Sequence, residues 1–106
     1  MMVVTTDGVP GHRVTDVYGL VQGTSVRARH LGKDILAYFK NITGGEIREY
    51  TKLLAESREQ ALDRMREEAA RKGANAIVGM RFSSTDISDG ASELVVYGTA
   101  VRVERA

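Results

Sequence analysis

Two segments, about 75–87 and 92–104, read as β-strands that are apolar on both faces. In the first, Ala76, Val78, Met80 and Phe82 fall on one side, and Ile77 and Gly79 on the other. In the second, Leu94, Val96, Gly98 and Ala100 share one side, and Val95, Tyr97, Val101 and Val103 share its opposite. An antiparallel sheet with one wet face alternates apolar with polar residues, so this sheet asks for cover on both faces. The "SDG" at 88–90 predicts a hairpin turn between the two segments.

The rest of the chain limits what can give that cover. Residues 2–6 read as a short strand, and His12 to about Ala28 as a long one. Gly19 and Gly23 within it mark a bulge or a close approach by another backbone. Ile35, Leu36, Phe39 and Ile42 recur at helical spacing and predict a first helix over about 32–42. A second, over about 46–72, places Tyr50, Leu53, Leu54, Ser57, Ala61, Met65 and Ala69 on one side and charges on the other. In "TGGE" (43–46), Thr43 and Glu46 have capping-box spacing, and Gly44 and Gly45 let the chain turn between the helices. Gly73 fits the left-handed position that ends a helix. The order is strand, strand, helix, helix, strand, strand, in one domain of residues 1–106. The fold class is therefore α+β, an antiparallel sheet with two consecutive helices on one face.

Two helices cover one face, and no further segment is left for the other. Burial therefore points to other copies of the chain. Four or five medium side chains at about 60–100 Å² each exceed what soluble monomers usually leave in one patch. Sealing them at about 25 cal/mol per Å² contributes on the order of 5–10 kcal/mol per subunit before association costs.

Composition removes several function classes. Cysteine is absent, which excludes disulfides, thiolate nucleophiles and cysteine metal sites. Fifteen basic and fourteen acidic residues leave a formal charge of +1, too little to attract nucleic acid or an acidic membrane. No signal-like start and no apolar run of spanning length is present, so a cytoplasmic protein is expected.

Few residues suggest chemistry. His12 and His30 are the two histidines and the candidate metal ligands, flanking the long strand. Fully extended, that strand holds them nearly 60 Å apart, so they meet only if a ring gathers copies, with Asp7 or Asp16 as further oxygen ligands. The simpler reading is two solvated loop histidines. Gly44, Gly45 and Arg48 form a candidate anion site, since bare N–H groups at a helix start attract phosphate. A helix cap and tight turn account for the same residues. Asp86, Asp89 and Glu93, near a group of serines, offer at most a weak hard-cation site. Arg27, Arg29, His30 and Lys33 read as a solvated strand exit. No acid–base or nucleophile pair identifies an enzyme.

Five stretches, in this order, resemble the YbjQ-like family of small bacterial proteins: "VYGLVQG" (17–23), "GG" (44–45), "YTKLLAESREQALDRM" (50–65), "GANAIVGMRF" (73–82) and "ELVVYGTAV" (93–101). They span nearly the whole chain and are specific as a set. The resemblance implies a dodecin-subunit-like fold and a ring-shaped homopentamer in which extra strands promote assembly. It also carries a heavy-metal-binding label, with the cofactor otherwise unknown. The residues give that label little support: soft metals prefer thiolate and thioether ligands, and Met65 and Met80 lie on apolar faces as packing. The reading is a ring that binds a metal ion or small ligand at subunit boundaries or in a central channel. The alternative is a structural or interaction module with no bound cofactor. A dodecin-like flavin role comes third, for want of a tryptophan to stack on the ring.

Overall fold

The computed structural model describes residues 1–27, 44–88 and 91–106. They form β1 (Met2–Val3), β2 (His12–Arg27), α1 (Gly44–Arg71), β3 (Ala76–Ser88) and β4 (Ala91–Arg105). The strands make one sheet in the order β1-β3-β4-β2, and α1 lies on its inner face. The class is α+β, as the patterning predicts. The sheet is mixed, however: β2 and β3 flank β4 antiparallel, while β1 runs parallel to β3. This corrects the all-antiparallel expectation. A parallel pair needs a long crossover, and β2 and α1 together supply it. Among the described residues there is one helix; the helix expected over 32–42 lies outside them. Pairing in the β3–β4 hairpin continues to Ser88 opposite Ala91.

The helix α1 starts at Gly44, two residues before the expected start. Gly44 and Gly45 therefore belong to its first turn, not to a turn between helices. First-turn N–H groups lack intrahelical partners anyway, so glycine forfeits less there than mid-helix. The far end stops on Gly73, with φ +90°. The Ala74 N–H reaches the Ala69 carbonyl at 3.1 Å and the Gly73 N–H reaches that of Ala70 at 3.0 Å, which satisfies carbonyls the helix leaves open.

Spacing by four puts Ser57, Ala61, Met65 and Ala69 on one stripe, and all four are buried. Ala61, Met65 and Ala69 pack on Val21, Ile77, Val96 and Ala100 of the sheet. Where α1 crosses β2, Gly23 lets the backbones touch: a Cβ there would lie 1.9 Å from the Ala61 carbonyl oxygen. Gly19, with φ +96°, sits at a register shift in the same strand. Both readings of these glycines, close approach and bulge, thus apply, one to each.

A second, smaller cluster sits on the outer face: Ala76, Val78, Val101 and Val103, with Val4 and Val9 packed against it. The chain after β1 continues beside β3, with the Gly79 N–H bonded to the Thr6 carbonyl and the Met80 N–H to that of Val4. The N-terminal segment therefore covers part of the face for which no segment had been expected. The faces of β3 also need correction. The register slips by one residue between Val78 and Arg81, at Gly79 with φ +64°. Past this bulge the alternation changes phase. Ala76 and Val78 stay outside, but Met80 packs on the inner cluster and Phe82 pairs with inner Val96.

Candidate functional site

Among the described residues, five large apolar side chains of the outer face remain uncovered. Val14, Val17, Leu20 and Val26 of β2 are 44%, 67%, 63% and 62% exposed, and Tyr97 of β4 is 38% exposed. Their partners across the ladder fix the face: Val14 opposes Val103, Val17 opposes Val101, Leu20 opposes Thr99 and Val26 opposes Glu93. These β4 residues alternate in step with the outer cluster. The result is an apolar stripe on the strand that ends the sheet. An exposed pair, Arg13 with Glu104, borders it at one end, with Arg13 Nε donating to Glu104 Oε1 at 2.8 Å. The stripe exposes on the order of 400 Å² of apolar surface, in the range of the largest patch on a typical monomer, which is often functional.

The residues singled out for chemistry do not converge. His12 opens β2, half-buried, and its Nδ1 donates to the Pro10 carbonyl at 3.0 Å. A carbonyl only accepts, so Nδ1 carries the proton of this bond. His30 lies outside the described residues, and so does Asp89. Asp16 accepts from the Thr15 hydroxyl. Gly44, Gly45 and Arg48 are helical in backbone. Among the described residues, no group of three or more His, Cys, Asp or Glu stands close enough to hold a metal ion. A shallow groove of about 550 Å³ runs along the solvent side of α1, lined by Glu56, Glu59, Asp63 and Glu67 with Lys52 and Arg64. Its carboxylates are strung along the helix axis instead of facing one point.

Between helix and sheet lies one buried polar pair, which sequence reasoning placed only in part. Ser57 was read on the packed helix face, but its partner was not foreseen. Ser25 and Ser57 share a hydrogen bond of 2.6 Å, and Ser25 also donates to Gln60 Oε1 at 3.3 Å. Every buried side-chain polar atom among the described residues has a partner.

A family model described as "Putative heavy-metal-binding" matches residues 1–104. A UPF0145 protein of Thermotoga maritima is 50% identical over 105 residues, covering 99% of both chains. One of Thermus thermophilus is 51% identical over 106 residues, covering all of this chain and 93% of its own. The fold is similar to the crystal structure of a protein of unknown function from Pediococcus pentosaceus, of the DUF74 family, with a TM-score of 0.63 and 15% identity over 98% of each chain.

Proposed function

Because this chain belongs to the YbjQ family, the UPF0145 proteins, we propose that it works as a homo-oligomer whose copies cover one another's outer sheet faces. The carrying observation is the uncovered stripe of Val14, Val17, Leu20, Val26 and Tyr97. Its roughly 400 Å² is close to the apolar share of the about 800 Å² that each partner buries in a stable interface. At about 25 cal/mol per Å² its burial contributes about 10 kcal/mol gross per subunit, enough to exceed many estimates of association cost. A second copy fits better than a charged partner, because the stripe is apolar and a head-to-tail contact between copies, repeated about an axis, closes into a ring. The ring of five that the family resemblance implies is the expected count.

Within that assembly we propose a metal ion or small ligand at subunit boundaries or in a central channel, and a binding role, not a catalytic one. The described residues of a single copy do not fit a heavy metal: cysteine is absent and no three of His, Cys, Asp or Glu gather among them. In the proposed assembly such a metal draws its ligands from several copies. This same observation favours the second reading, an interaction module with no bound cofactor.

Native mass spectrometry at micromolar concentration is expected to show a single multiple of the subunit mass. A clean monomer overturns the assembly. Metal analysis of unchelated protein, with His12→Ala and His30→Ala beside it, then separates the two readings. Stoichiometric metal lost in either variant supports the binding reading; its absence, with no melting shift across a divalent-metal panel, leaves the module.

A further inference from the structure

β2 is the end of the sheet, and its free side would ordinarily show unpaired backbone groups to any passing strand. Between Leu20 and Thr24 three of those groups are taken by side chains of one helix stripe. Arg64 Nη1 donates to the Thr24 carbonyl at 2.5 Å, the Gln22 N–H donates to Glu68 Oε2 at 3.2 Å, and Lys72 Nζ donates to the Leu20 carbonyl at 3.4 Å. Residues 20, 22 and 24 aim their backbone groups to the same lateral side, away from β4. Arg64 and Glu68 of α1, and Lys72 just past its end, form one stripe spaced by four. Four helical residues rise about 6 Å, and two strand residues rise about 6.6 Å, so each step along the helix matches one step along the edge. The chemistry matches as well: cations meet the two carbonyls and a carboxylate meets the N–H. Lys72 and Glu68 also lie 3.9 Å apart, which holds the stripe together.

We infer that Arg64, Glu68 and Lys72 stand in for a fifth strand and close β2 to strand addition by a second chain between Leu20 and Thr24. In the oligomer proposed above, on which this last step rests, copies then meet through the outer face and not by extending the sheet at this segment. The edge closure itself requires no oligomer.

Hydrogen exchange of the full chain tests it. Glu68→Ala is expected to speed exchange of the Gln22 amide about tenfold while the Val21 and Gly23 amides, which face β4, keep their rates. Glu68→Gln, which retains an acceptor, is expected to preserve most of the protection. An unchanged Gln22 rate in Glu68→Ala overturns the inference. The triple variant Arg64→Ser, Glu68→Ser, Lys72→Ser is expected to gain thioflavin-positive, β-rich association that the wild type lacks, with circular dichroism confirming that it still folds. If the wild type proves monomeric and the triple variant gains association, edge closure stands and the assembly reading fails. If the wild type assembles and the triple variant gains nothing, the reverse holds.

Discussion

Gly23 and Gly79 are both strand glycines, yet they answer different demands. At Gly23 an added Cβ would meet backbone atoms of α1, 1.9 Å from the Ala61 oxygen and 2.7 Å from the Met65 nitrogen. Backbone cannot swing aside as a side chain can, so the whole helix must lift. Gly23→Ala is expected to cost at least about 3 kcal/mol, a loss of more than about 10 °C in Tm. At Gly79 nothing lies within 4 Å of the built Cβ, and only φ +64° opposes a side chain. Gly79→Ala is expected to cost about 1–2 kcal/mol, the ordinary strain of a left-handed residue. Equal melting of the two variants by calorimetry would contradict this division between close packing and backbone strain.

Among the elements, the turn from α1 into β3 shows a side chain doing the work of a strand. The amide of Asn75 donates through Nδ2 to the Val103 carbonyl at 2.9 Å and accepts the Val103 N–H at its Oδ1 at 2.8 Å. Its own N–H meets the Val101 carbonyl at 3.1 Å, so the ladder is prolonged ahead of Ala76, the first paired residue of β3. Asn75→Ala leaves both Val103 groups unpaired and is expected to cost about 1–3 kcal/mol in chemical denaturation. Asn75→Asp is expected to cost more, since it sets a carboxylate oxygen against a carbonyl; a neutral result for Asp would show that Val103 finds other partners. The strands themselves were legible, because their apolar runs and the glycine stops are local signals. The stripe Ser57, Ala61, Met65, Ala69 was legible for the same reason. The phase change at Gly79 was not, since alternation counted along the chain assumes no inserted residue. Nor was the parallel seat of β1, which depends on a partner distant in sequence. The candidate site divides likewise. An apolar surface in search of cover could be read from the two-sided strands, whereas its location on β2 could not. Arg64, Glu68 and Lys72 belong to the charged side that the helical spacing predicts, and only the placement of α1 over an edge gives them backbone partners on β2.

For the molecule as a whole, the exposed stripe predicts which substitutions separate folding from association. Val17 and Leu20 are about two-thirds exposed in one copy. Val17→Lys and Leu20→Lys therefore cost a single subunit little, within about 0.5 kcal/mol each, while burying a cation at a subunit contact is strongly unfavourable. Analytical ultracentrifugation of the double variant is expected to give a folded species smaller than the wild-type assembly. A double variant that sediments like the wild type would move the contact elsewhere. The pairing of β1 with β3 carries a different kind of consequence, one of timing. Met2 lies opposite Ala76, so this contact closes a loop of 74 residues (76 − 2) for two strand pairs and the few backbone bonds that follow. The hairpin of β3 and β4 closes between neighbours in sequence and forms many more. Loop entropy is spent before a distant contact returns anything, which makes the N-terminal segment the last piece to arrive during folding and the first to leave. Whenever it lifts away, Ala76, Val78, Val101 and Val103 lose their cover, and a second apolar face is bared beside the stripe.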